Sequence, residues 1–137
     1  MLRQLSFDLH ALTGRLDRAA DRILQERESL SYARFMVLFW IGELGPGAQR
    51  EIAARLGVTE PSVSRMVAVL SELGLIRHEP TKGNRRALAL TVEGEGIVRR
   101  SCAFLEAELE KLITASGVPY ESYASHTRRL IGALDER

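Results

Sequence analysis

Residues 49–70, QREIAARLGVTEPSVSRMVAVL, leave the chain little freedom in how it folds there. The apolar spacing predicts a short helix over about Gln49–Leu56, a stop at Gly57, and a second helix from Glu60 to Leu73 that closes at Gly74. Gly57 suits the left-handed conformation found just past a helix end. Thr59 can cap the second helix, and Pro61 fits its first turn, where backbone N–H groups lack a helical partner. Ala53 is small where two helices must cross closely, and Ile52, Leu56, Val58, Val63 and Met66 supply the apolar contacts. These demands together describe a helix-turn-helix corner.

The flanks extend it. Leu2, Leu5, Leu9, Leu12, Leu16, Ala19 and Ile23 recur at steps of three and four, the seam of a heptad repeat. An amphipathic helix packed within one chain has the same pattern. At the chain end, with no earlier element to cover the seam, a second copy is the favoured partner. Ser29 or Ser31 can cap a helix through YARFMVLFWIGEL, which is apolar on nearly every side and ends at Gly45-Pro46-Gly47. Leu75–His78 and Ala87–Thr91 are the expected strands of a hairpin whose tip is Glu79–Arg86. Thr91 can cap a long helix through about Ala115, with Gly94 and Gly96 weakening its first turn and Val98, Cys102, Leu105, Leu109 and Leu112 forming its apolar stripe. Pro119 starts a last helix whose apolar side is Tyr123, Leu130, Ile131 and Leu134. The expected fold is mainly α with one two-stranded sheet.

If Val63, Met66, Val67, Leu70 and Leu73 are buried, a step of 100° per residue puts Pro61, Ser64, Arg65 and Ala68 on the opposite side. That side is short-chained except for Arg65, so it can enter a DNA major groove and carry one long donor to guanine O6 and N7. A solvated surface charge is the plainer reading of Arg65. Ser62, near the helix N-terminus, suits a phosphate oxygen. Residues 49–100 hold nine Lys and Arg against six Glu, within a chain whose formal net charge is only +1. Lys82, Asn84, Arg85 and Arg86 form a basic hairpin tip apt for phosphates or a narrow minor groove.

These segments, REIAARLGVTEPSVSRMVAVLSELGLIRHEP and LALTVEGEGIV, resemble the MarR-type winged helix-turn-helix transcription regulators, and the resemblance extends over nearly the whole chain. It implies one domain over 1–137, with a DNA-binding lobe at 29–97 and dimerisation helices at 1–28 and 98–137. It implies a homodimer, joined through residues such as Leu5, Leu9, Leu12, Leu16, Leu130 and Leu134, that reads a roughly palindromic inverted repeat in double-stranded DNA. Thr59, Pro61, Ser62, Ser64, Arg65 and Ala68 are then the DNA-facing residues of the second motif helix. It further implies a repressor whose grip on DNA is lowered by a small apolar or aromatic effector, or by an oxidant. The family wing commonly carries Asp-x-Arg, whereas this chain has Gly83-Asn84-Arg85-Arg86-Ala87, so Arg85 or Arg86 replaces the wing arginine without the acidic partner.

Tyr32, Phe35, Phe39 and Trp40 can line an effector pocket, but a closely packed core explains them as well and is the favoured reading. Cys102 lies in an apolar stripe, where a cysteine is ordinarily an inert small hydrophobe rather than a redox sensor. As the single cysteine it excludes an internal disulfide and favours a reducing compartment, the cytoplasm. His10, His78 and His126 lack a ligand cluster, so neither a metal nor another cofactor is expected. No signal or membrane segment is expected either, since Tyr32–Ile41 is too short and is interrupted by Arg34. The phosphate loop, nucleophile elbow and HExxH patterns are absent, which argues against an enzyme. The alternative to a DNA-binding regulator is a dimeric winged-helix adaptor that binds proteins.

Overall fold

The computed structural model describes residues 3–45, 49–80 and 86–137. Leu2, Pro46, Gly47, Lys82, Gly83, Asn84 and Arg85, singled out above, lie outside them, and of Pro80 and Arg86 only the backbone position is described. The elements are α1 (Leu5–Glu28), α2 (Tyr32–Leu44), α3 (Gln49–Leu56), α4 (Glu60–Glu72), β1 (Ile76–Pro80), β2 (Arg86–Leu90), α5 (Val92–Ala115) and α6 (Tyr120–Asp135). They form two compact units, residues 1–101 and 102–137.

In the first unit α2 is the central helix and touches α1, α3, α4 and β2. Its sequence requires this, since Phe35, Val37, Leu38 and Ile41 cover too much of its circumference for a surface helix, and all four are buried. Ser31 is its cap, accepting the Arg34 N–H at 3.2 Å. Ser29 instead ends α1 in the left-handed region, and the Leu30 N–H reaches back to the Leu24 carbonyl as in a Schellman motif. Leu24, Leu30, Ile52, Ala53, Val63, Val67 and Leu70 complete the core around α2. Ala53 is buried at the crossing, while Val58 and Leu73, expected to be apolar contacts, are 39% and 52% exposed. Both stand at helix ends, Val58 in the turn after α3 and Leu73 at the α4 C-cap, where the chain turns away from the core.

The hairpin is antiparallel, with Ile76 opposite Leu90 and Pro80 opposite Arg86. The first strand begins and ends later than expected. Leu75, buried, closes α4 by donating its N–H to the Leu70 carbonyl, and Glu79 and Pro80 extend the strand outward. Pro80 is tolerated at a strand end, where its missing N–H breaks no interior ladder.

Thr91 joins sheet to helix. Its hydroxyl donates to the Gly74 carbonyl at 2.7 Å and accepts the Gly94 N–H at 3.1 Å, while its own N–H bonds the Leu75 carbonyl at 3.1 Å. In the second unit α6 buries no residue. Among the described residues no helix is long and apolar enough to cross a membrane.

Candidate nucleic-acid interface

The helix-turn-helix is set by two ends. Gly57, at φ 67°, lets the Val58 N–H return to the Ala53 carbonyl, which stops α3 and turns the chain. Thr59 Oγ1 then accepts the Ser62 N–H at 3.2 Å and starts α4. With Val63, Val67 and Leu70 fully turned inward, Pro61, Ser64, Arg65 and Ala68 are all exposed on the outer side. Ser62 is half-buried at the edge of that side.

The ion pairs of the lobe separate its arginines. Arg55 bonds Glu51 at 3.0 Å and lays its guanidinium 4.5 Å from the centre of the Trp40 ring. Arg77 pairs with Glu79 on β1. Arg50, at the start of α3, approaches Glu60 at the start of α4 at 3.9 Å. No ion pair with a described residue engages Arg65. Its charge, flanked by the small side chains of Ser64 and Ala68, is therefore paired with no carboxylate among the described residues.

The aromatic candidates separate as well. Phe35 is core, 3% exposed. Phe39 and Trp40 are half-buried and meet edge to face, with ring centres 5.0 Å apart. Tyr32 lines an open groove of about 640 Å³ with Asp17, Arg18, Asp21 and Arg22 of α1. Burial raises the Tyr32 phenol above its ordinary pKa, and the Asp17 carboxylate adds to the effect. Among the described residues, no group of His, Cys, Asp and Glu is arranged to hold a metal.

Sequence reasoning missed the Arg55–Trp40 stack, because periodicity within one helix carries no signal about its neighbour. It also missed Phe7, which lies outside the heptad positions and is 78% exposed on α1. Along that helix the leucines run from open to half-covered, with Leu5 65%, Leu9 39% and Leu12 38% exposed. Leu16 is half-buried and Leu24 is buried. On α6, Leu130 and Leu134 are 59% and 70% exposed.

Residues 29–87 match the MarR family. The transcriptional regulator MntR of Escherichia coli O6:H1 is 41% identical over 61 residues, 44% of this chain and 37% of that protein. The chain thus spans little more than a third of the length of the curated relatives it matches. A Staphylococcus aureus MarR in complex with salicylate and kanamycin superposes with a TM-score of 0.83 at 17% identity, over 97% of this chain and 89% of that one. Streptococcus pneumoniae FabT in complex with DNA gives a TM-score of 0.76 at 20% identity, over 96% and 94%. At these identities the two structures establish a shared fold, a winged helix-turn-helix with long flanking helices.

Proposed function

We propose, from the match of residues 29–87 to the MarR family, that the chain is a homodimeric transcriptional regulator that binds an inverted-repeat operator as a repressor. The observation that carries this reading is the outer side of α4, where Pro61, Ser64, Arg65 and Ala68 are exposed together and Arg65 has no carboxylate partner among the described residues. An uncompensated arginine on a flat helix face fits the major groove, where a bidentate contact to guanine contributes about 1–3 kcal/mol of discrimination. Thr59 and Ser62, at the positive end of the same helix, face the phosphates, and Lys82, Asn84, Arg85 and Arg86 of the wing anchor the backbone alongside. The exposed leucines of α1 and α6 are the dimer surface, since so much apolar area does not suit a lone chain in water. The two flanking segments, 1–28 and 98–137, serve dimerisation, and 29–97 serves DNA.

FabT is a neighbour bound to DNA and a Staphylococcus MarR one bound to salicylate, and by analogy a small aromatic effector that releases the operator would enter beside Tyr32. The cytoplasm, where the DNA is, is the expected location. Selection of bound sequences from a random duplex library tests the reading. An enriched inverted repeat is the expected result. Failure to enrich any sequence, together with no retention of random duplex at low salt, overturns it in favour of a protein-binding adaptor.

A further inference from the structure

The last residue of α1 and the third turn of α5 are joined by a two-pronged ion pair. Arg100 donates from Nε to Glu28 Oε1 at 2.5 Å and from Nη2 to Glu28 Oε2 at 2.7 Å, across 72 positions of sequence. The Glu28 side chain is only 10% exposed, whereas Arg100 is 53% exposed. We propose that this fork is a strut that fixes the angle at which α1 leaves the DNA-binding lobe, making Glu28 and Arg100 positioning residues for the half-site spacing that the dimer accepts. The inference rests on the DNA-reading function proposed above.

The fork joins two parts that are each anchored separately. The start of α5 is tied to the wing base through Thr91 and the Gly94–Leu75 contact. The end of α1, where Leu24 is buried, packs against α2 and is tied to it through Asp21, whose Oδ1 accepts the Tyr32 N–H at 2.8 Å. The fork adds a second point of attachment, on α5, to the α1–α2 corner. Two parallel N–H to oxygen bonds set direction as well as distance, which a single bond does not.

The length of α1 turns a small angle into a large shift. From Glu28 to the exposed Leu9 the helix rises about 28 Å, so a 10° change at the fork moves Leu9 by about 5 Å, more than the roughly 3.4 Å between successive base pairs. If Leu5, Phe7, Leu9 and Leu12 meet a second copy, the angle at Glu28 decides where the second reading helix lands.

The test uses the full chain and duplexes carrying two copies of the selected half-site with the spacer changed by one base pair at a time. The wild type should favour one spacer about tenfold over those altered by two base pairs, and Arg100→Lys, which keeps the charge but loses the fork, should narrow that preference to about threefold or less. Arg100→Gln should behave alike. Affinity for a single half-site should stay within about twofold, a readout that a role confined to lobe stability would move. An unchanged spacer preference overturns the proposal, as does a parallel loss on single and double sites.

A second measurement needs no DNA. Spin labels at Ala11→Cys and Glu72→Cys, in a Cys102→Ala background diluted with unlabelled chain, should give a narrow intrachain distance distribution that broadens in Arg100→Lys. Should the wild type bind no duplex, the regulatory function fails while this measurement still decides the strut. An equally narrow distribution in the variant rejects it.

Discussion

The main-chain oxygen of Leu75 lies 2.2 Å from where a β-carbon on Gly94 would stand. The same oxygen accepts the Thr91 N–H, so it cannot retreat without breaking the joint between wing and helix. Alanine at a helical glycine ordinarily stabilises by about 1 kcal/mol, but forcing a side chain into packed backbone costs about 1–3 kcal/mol, and here the lost Thr91 bond adds to the cost. Gly94→Ala should therefore destabilise by about 1–2 kcal/mol in denaturant titration. Gly96→Ala is the control. Its β-carbon would meet only Nη1 of Arg100, at an ordinary contact distance of 3.4 Å that leaves the fork in place, so it should raise stability by up to about 1 kcal/mol.

Acid should loosen the chain partly through Glu28. The hydrogen bonds from Arg100 hold its carboxyl below the ordinary glutamate pKa, outweighing the opposing effect of burial. Because the folded value is the lower one, the stabilisation is complete above the unfolded value of about 4.3 and is lost as the pH falls through the folded value. Stability measured from pH 7 down to pH 3 should fall less steeply for Glu28→Gln than for the wild type below about pH 5. Parallel curves would show that the pair contributes nothing through protonation.

The dimer proposal makes a mass prediction. The wild type should scatter light at twice 15.3 kDa. Leu5→Glu and Leu9→Glu place charges on leucines that are 65% and 39% exposed, so they should shift the mass toward a monomer while leaving the melting of the lobe intact. Leu16 is unsuitable for this purpose because it is already half-buried within the chain. A monomeric wild type at micromolar concentration removes the dimer.

What could be read in the sequence was local. The ends of α2, α3 and α4 follow from Ser31, Gly57 and Thr59, whose effects extend three or four residues along the chain. The strand ends were displaced because they depend on the partner: Leu75 had to choose between closing α4 and opening β1, and its hydrogen bond to Leu70 decides for α4. Gly94 reads in the sequence as a weakness of α5 because its reason, the Leu75 carbonyl, comes from another element. In the sequence Ser29 and Ser31 are equal candidates as caps, and the left-handed backbone of Ser29 assigns it to α1. For the site, the outward side of α4 was readable from its 100° period. The Arg55–Trp40 stack and the Glu28–Arg100 fork join different helices, which no single-helix pattern encodes.

Base reading and backbone anchoring should separate by mutation. Arg65→Ala should cost about 1–3 kcal/mol on the operator and relax preference at one position of each half-site. Arg85→Ala and Arg86→Ala should weaken binding to all sequences and lower the salt dependence by about one phosphate contact per charge removed in each lobe. Titration of operator and random duplex at several salt concentrations distinguishes the two. Equal losses on both duplexes for all three variants would refute the division.

The DNA itself provides the remaining test. A two-fold dimer presents Ser64 and Arg65 twice in opposite directions, so its preferred site is an inverted repeat whose half-site centres lie about one helical turn apart, roughly 10 base pairs. Both α4 helices then enter the major groove from one side of the duplex. Inserting five base pairs between the halves leaves every contacted base in place but turns one half about 180° away from its lobe. Since the gain from two linked sites is lost when geometry forbids simultaneous engagement, affinity should fall to that of a single half-site, and a ten-base-pair insertion should restore part of it only if the α1 helices can span the longer gap. Competition binding with the three duplexes measures both effects. Undiminished affinity after the five-base-pair insertion would mean that the lobes read DNA independently, and neither the two-fold geometry nor a fixed angle at Glu28 could then govern recognition.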